Sequence, residues 1–252
     1  MTERYATYPS LAGKVVLVTG GASGIGADIV RAFAANGARV AFLDIDLEVA
    51  QTLTAEVPGT LFLNCNLLDI PALKLAIASA AEQLGPIGVL INNAANDDRR
   101  SVAEVDPDYW DWSQNINIRH QFFAAQAVQP HMKTLGGGSI INLSSIAWRY
   151  GADTLVAYVT AKSAVIGLTR ALARNFGPDN IRVNAIEPGA VMTEKQRRLW
   201  YPTPESIDAM VQRQLIAKML TGDEIARMAL FLAADDSRMI TKQSFIVDAG
   251  LS

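Results

Sequence analysis

The chain has 252 residues, half of them apolar, with 22 basic and 25 acidic side chains and a formal net charge of −3. That balance, without any basic run, excludes a charge-driven nucleic-acid or anionic-membrane surface, and a lone cysteine, Cys65, excludes an internal disulfide. The two separated histidines, His120 and His131, give no metal-ligand spacing, and no uncharged apolar stretch reaches the ~20 residues of a membrane span. A polar first ten residues without a signal-peptide core, together with the single thiol, leads us to expect a cytoplasmic protein.

Short runs rich in Val, Ile and Leu recur at 14–19, 39–44, 60–64, 88–92, 139–143, 181–185 and 244–247. Their near-continuous hydrophobicity is that of strands covered on both faces of a parallel sheet. Between them, helical patterns predict helices that include 24–36, 70–84, 108–133, 157–176 and 223–234. Alternation through seven strands predicts an α/β fold: one doubly wound, Rossmann-type parallel sheet spanning 1–252, helices on both faces. The irregular stretch is 191–218, where Tyr201-Pro202-Thr203-Pro204 separates two short helical patterns, as in a substrate loop.

The first strand runs into Gly20-Gly21-Ala22-Ser23-Gly24-Ile25-Gly26 and then a helix. Glycines there permit a tight turn and a close backbone approach to a pyrophosphate, which the helix N-terminus attracts. Asp44 closes the second strand, 18 residues after Gly26, where a carboxylate accepts from an adenosine ribose and repels a 2′-phosphate. No Arg or Lys stands at Ala22, Ser23 or Ile45 to receive that phosphate, so NAD is expected over NADP. A solvated strand end is the plainer reading of Asp44.

Farther along, Tyr158 and Lys162 stand four residues apart in a helical pattern, which puts them one turn apart on the same face. An ammonium so placed is expected to favour the phenolate and to bring the tyrosine down from its ordinary value of about 10 toward a useful base. Ser145 precedes Tyr158 by 13 residues.

Taken in order, Thr19-Gly20-x-x-x-Gly24-x-Gly26, Asn92-Asn93-Ala94-Ala95, Asn117, Ser145, Tyr158-x-x-x-Lys162 and Pro188-Gly189 with Thr193 resemble the short-chain dehydrogenase/reductase family over nearly the whole length. The resemblance implies a sheet in the order 3-2-1-4-5-6-7 and a homotetramer. It implies Tyr158 as base, Lys162 as its tuner and a ribose ligand, Ser145 on the reacting oxygen, and Asn117 holding a water in a proton relay. It further implies cofactor contacts from the glycine turn with Ser23 and Ile25, from Asp44, Asn66 and Leu67, from Asn93, Ala94 and Ala95, and from Pro188, Gly189, Val191 and Thr193. Ala95 replaces a frequent Gly, and Asn66 a frequent Asp, without disturbing the catalytic set.

The substrate is expected to be read by Asn96-Asp97-Asp98-Arg99-Arg100, by Trp148, and by Gln196 with Trp200 and Tyr201, a mixture of amides, charges and aromatics suited to a sugar. These segments resemble those of bacterial aldose 1-dehydrogenases, which oxidise C1 of L-arabinose, D-xylose or D-galactose. Each also has a plainer reading: Asn96 and Asp97 as a solvated turn, Trp148 as a subunit contact, Trp200 and Tyr201 as loop anchors. His120 reads as a packing residue, Arg197 and Arg198 as a solvated face, and Glu187 is left open between a sugar contact and an outward position. Another secondary alcohol or a 3-oxoacyl group is the alternative substrate. A protein that senses NAD without turnover is the alternative class.

Overall fold

The computed structural model describes residues 5–252. Seven strands, β1 (Val15–Thr19), β2 (Arg39–Asp44), β3 (Leu61–Asn64), β4 (Ile87–Asn92), β5 (Gly138–Leu143), β6 (Ile181–Pro188) and β7 (Ser244–Val247), pair in parallel in the order β3-β2-β1-β4-β5-β6-β7. The doubly wound parallel sheet expected from the alternating pattern, and the strand order implied by the family resemblance, are therefore the observed ones. Parallel pairing forces each crossover through a helix. Helices α1 (Gly24–Ala35) and α2 (Leu47–Glu56) cover one face of the sheet, and α3 (Ile70–Leu84) covers the other.

The sheet's side chains divide between those faces with the strand period of two. Val16 and Val18 join the α1 layer, whereas Val15 and Leu17 join the α3 layer, and all four are buried. Each such aliphatic side chain contributes ~1.5–3 kcal/mol when fully buried. Residues that end β1, β2, β4, β5 and β6 lie along one carboxyl edge, and the strand order reverses between β1 and β4. Open α/β sheets bind ligands in the crevice at such a reversal.

The single helix expected over 108–133 is instead three pieces. Helix α4 (Pro107–Gln114) passes into a wide π turn at Asn115–Arg119 and then into α5 (His120–Thr134). Widening a helix disturbs its carbonyl ladder, and amide side chains take up the slack: Asn117 Nδ2 donates to the Ser113 carbonyl (2.9 Å) and Gln121 Nε2 to the Asn117 carbonyl (3.2 Å). After β5 come α6 (Ala147–Tyr150) and the long α7 (Val156–Phe176). The stretch 153–179 is apolar and long enough to cross a membrane by composition alone, yet it packs along β6 and carries the buried Lys162. The irregular stretch after β6 holds α8 (Glu194–Leu199) and α9 (Pro204–Val211), after which α10 (Gly222–Ala233) returns to pack on α1.

Candidate active site

A cleft of about 560 Å³ follows the carboxyl edge, and the glycine turn forms its floor. Gly20 has φ +64°, and a Cβ there would stand 2.8 Å from the Ala94 Cα, so only glycine fits both the conformation and the space. At Gly26 a Cβ would collide with the Gly20 carbonyl oxygen. Thr19 Oγ1 accepts from the amides of Asn93 (3.1 Å) and Ala94 (3.2 Å), and Asn93 Nδ2 donates to the carbonyls of Thr19 (3.0 Å) and Gly20 (2.8 Å). The turn after β1 is thereby tied to the loop after β4. Ser23 caps α1 without using its own hydroxyl, which leaves a free donor at a 12-residue helix's positive end. These features fit a dinucleotide phosphate.

Asp44 lines the cleft beside Ile45, Asn66 and Leu67. Its Oδ2 accepts from the Ala22 amide (2.9 Å) and its Oδ1 from the amides of Ile45 (2.8 Å) and Asp46 (3.2 Å), so the carboxylate is fixed in place with acceptor capacity left on Oδ2. Ala95, Pro188, Gly189, Val191 and Thr193 line the cleft at its other end. Thr193 also packs toward Gly24 and caps α8 by accepting from the Gln196 amide (3.3 Å).

Ser145, Tyr158 and Lys162 share the deep wall of this cleft. Ser145 Oγ accepts from the Ala147 amide (3.1 Å) and hydrogen-bonds the Tyr158 phenol. Lys162 Nζ stands 5.6 Å from the Tyr158 ring centroid and donates to the Leu143 carbonyl (2.8 Å). Burial lowers Lys162 to about 7, against a small opposing pull from Asp97. The expected drop in Tyr158 is not what this packing produces. Burial pushes the phenol up, Asp97 adds to it, the Ser145 hydrogen bond opposes, and Tyr150 adds a little more. Desolvation drains the ammonium that was expected to supply the lowering charge.

Asn117 is fully buried in the π turn. Its Oδ1 accepts from the Asn96 amide (2.9 Å) and its Nδ2 donates to the Asn96 carbonyl (3.0 Å), in addition to Ser113. Both ends of this amide clamp the backbone of Asn96, so its side chain positions the loop after β4. His120, fully buried, has Nε2 3.1 Å from the Ala94 carbonyl, and burial followed by Lys162 lowers it to about 4, which keeps it neutral.

Among the expected sugar contacts, Asn96 and Gln196 line the cleft, and Trp148 does not. The Trp148 indole donates to Glu187 Oε2 (2.9 Å), with Arg149 bonding both oxygens of the same carboxylate (2.7 and 2.8 Å) and Ser244 Oγ donating to Oε1. Glu187 has no exposed side-chain surface and so joins α6 to β6 and β7. Burial raises its pKa, but the four donors, Arg149 foremost, hold it below the ordinary carboxylate range. A carboxylate needs such partners to be buried at all, and that answers the question left open for Glu187.

The sequence singled out Asp97 only as one residue of a polar loop, and the fold gives it a specific task. Its Oδ1 accepts from Lys195 Nζ (2.6 Å) and its Oδ2 from Gln196 Nε2 (2.7 Å), joining the loop after β4 to α8 across the cleft. Burial raises this carboxyl, and the bonds to Lys195 and Gln196 outweigh burial and hold it below its usual value. Tyr150 and Tyr201 complete the rim. Its partners are about 98 residues away in sequence, so no local signal marks the pair.

Comparison with known proteins is consistent with this arrangement. Residues 20–252 match a family described as enoyl-(acyl carrier protein) reductase. A probable galactose dehydrogenase, GalD, of Rhizobium meliloti is 48% identical over the full length of both chains. A D-xylose 1-dehydrogenase of Caulobacter vibrioides is 45% identical over 97% of this chain and 98% of that one. The crystal structure of a putative short-chain alcohol dehydrogenase from Sinorhizobium meliloti 1021 superposes with a TM-score of 0.91 at 33% identity, covering 97% of this chain and 98% of that chain. On the matched sheet order, glycine turn and near-complete coverage, this chain belongs to the short-chain dehydrogenase/reductase family.

Proposed function

We propose that the protein oxidises the C1 hydroxyl of an aldopyranose of the L-arabinose, D-xylose or D-galactose type to the aldonolactone, with NAD as oxidant. The observation that carries this reading is one cleft in which Ser145, Tyr158 and Lys162 face the polar wall of Asp97, Lys195 and Gln196. Hydroxyl-rich substrates need donors and acceptors close together, which a greasy acyl or steroid cleft lacks. The likeness to a probable galactose dehydrogenase and a D-xylose 1-dehydrogenase supports the same substrate class.

In this mechanism Ser145 fixes the reacting oxygen, and Tyr158 removes the hydroxyl proton as the C1 hydrogen departs. A nicotinamide bound beside Val191 and Thr193 supplies the hydride acceptor. Lys162, half-protonated near neutral pH, stabilises the phenolate that forms and bonds the ribose. Asn117 and the Asp97 clasp hold the sugar-facing loops at a fixed separation. Asp44, with no basic residue beside it at Ala22, Ser23 or Ile45, favours NAD over NADP. A buried, unpaired Cys65 suits a reducing, cytoplasmic setting. Assembly as a homotetramer is supported by exposed apolar side chains, Phe122 on α5 and Ile246 on the edge strand β7.

The test is NADH formation, followed by absorbance, with L-arabinose, D-xylose, D-galactose, D-glucose, a polyol and a steroid alcohol, using NAD and NADP in parallel. Turnover of one or two aldoses with NAD, and its loss by ~10²–10⁴-fold in Tyr158→Phe, is the expected result. Activity confined to the polyol or steroid would end the sugar assignment. Preference for NADP would end the role given to Asp44.

A further inference from the structure

Arg99 is the one guanidinium that lines the cleft, and among the described residues no carboxylate pairs with it. Its neighbours in sequence are committed elsewhere: Asp97 to Lys195, and Asp98 to Arg100. The Arg99 guanidinium carbon stands 3.8 Å from the Trp200 ring centroid, a cation–π contact that satisfies no N–H. Nε of Arg99 is shut off from solvent and has no hydrogen-bond partner. The Trp200 indole nitrogen is buried and unpartnered in the same way. Two buried orphan donors side by side, one of them cationic, are costly unless something accepts from them.

Arg99 lines the same cleft as the exposed Tyr150 and as Tyr201, and its partner Trp200 directly follows α8. A substrate that presents C1 to Ser145 and Tyr158 on the deep wall would extend its other end toward these residues. Arg197 and Arg198, the pair that the sequence offered for an anionic substrate, are exposed. Within the cleft lining Lys195 is already neutralised by Asp97, which leaves Arg99 as the cation there without a carboxylate partner among the described residues.

We propose that Arg99 is a carboxylate-binding residue for the distal end of the substrate, and that the enzyme oxidises hexuronates at C1 as well as neutral aldoses. This rests on the aldose reading for its chemistry at C1. The C1–H bond would give its electron pair as hydride to NAD, the oxidant of this reading, the C1 hydroxyl proton goes to Tyr158, and C1 becomes the carbonyl of a lactone whose ring oxygen is already bonded to it. The distal carboxylate is bound by Arg99 and unchanged by the reaction. A planar guanidinium suits that group because it offers two parallel N–H donors to its two oxygens.

The experiment compares D-galacturonate with D-galactose at saturating NAD in the wild type, Arg99→Met and Arg99→Lys. Binding of galacturonate to the enzyme–NADH complex is measured alongside by calorimetry. The expected result is galacturonate turnover in the wild type at a kcat/KM at least equal to that for galactose. Loss of one charge-assisted pair in Arg99→Met should lower the galacturonate kcat/KM, and its affinity, by roughly 10- to 100-fold. Galacturonate should lose more than galactose in the same variant, so that the ratio of their kcat/KM values falls by roughly 10-fold or more, NADH affinity should stay constant, and Arg99→Lys should recover part of the galacturonate binding. Galactose oxidation without galacturonate binding, or galacturonate binding that Arg99→Met leaves intact, would overturn the proposal. Arg99-dependent galacturonate binding without oxidation of any sugar would instead overturn the aldose reading and, with it, the hexuronate activity, leaving Arg99 as a carboxylate ligand.

Discussion

Tyr158 and Lys162 show how burial sets the working state of the pair proposed as base and tuner. The phenol is pushed up, first by desolvation and then by Asp97, so the free protein near neutral pH holds it protonated. Because the base form is the scarce one, kcat/KM for alcohol oxidation should climb as pH rises from neutral into the alkaline range, measured as a pH–rate profile. Lys162 gives a complementary prediction about stability. Its folded value is about 7 against an ordinary 10.5, so between those limits the unfolded chain binds the extra proton. Stability therefore falls as pH drops from 10.5 to 7 and is flat below. Lys162→Met lacks this dependence, so the difference in melting temperature between variant and wild type should grow in the variant's favour as pH falls through that window. The i,i+4 spacing of this pair is written in the sequence, but the direction of the tyrosine shift is not, because desolvation depends on everything packed around the ring.

At the scale of elements, the site is held by three ties, each between pieces remote in sequence. Asn117 in the π turn clamps Asn96, Asp97 clasps α8 through Lys195 and Gln196, and Glu187 gathers α6, β6 and β7. The helical periodicity of 108–133 predicts one unbroken helix, and the π turn at Asn115–Arg119 interrupts it where Asn117 clamps Asn96. Trp148 was expected on the sugar, and Glu187 was the residue left open; each accounts for the other. Removing the carboxylate strands the Arg149 and Trp148 donors next to the Ser145 turn. Glu187→Ala should destabilise the fold by on the order of 3 kcal/mol in denaturant unfolding. It should also lower kcat more than it raises KM for NAD, since Ser145 and not the dinucleotide turn is displaced. Glu187→Gln, which keeps the shape and accepts fewer charged bonds, should recover part of both losses.

For the whole molecule, the carboxyl edge of one seven-stranded sheet collects residues from the start of the chain to its last quarter. The strand runs and glycine turn were legible because burial on both faces demands unbroken aliphatic segments, and because a phosphate turn tolerates only glycine at Gly20 and Gly26. Assembly belongs to this scale. The sheet ends in β7, whose Ile246 is exposed, and a free apolar edge invites pairing. Sedimentation should give a mass four times that of the chain, and Ile246→Lys should reduce it to a smaller species with the seven-stranded fold retained by circular dichroism. A monomeric wild type would remove the tetramer from the proposal.

By itself the sequence determined the alternation of strands and helices, the strand order through family resemblance, and the catalytic spacing. These depend on residue type at short range: aliphatic runs, a glycine cluster, one helical turn between Tyr158 and Lys162. Only the tertiary structure decided which polar residues face the cleft. It turned Trp148 onto Glu187, used up both ends of the Asn117 amide, and stacked Arg99 on Trp200 with its Nε unpaired. The reason is that hydrogen-bond partnership and desolvation are set by atoms about 20 to 100 residues distant along the chain, and these are brought within 3 Å or so only when the sheet is formed.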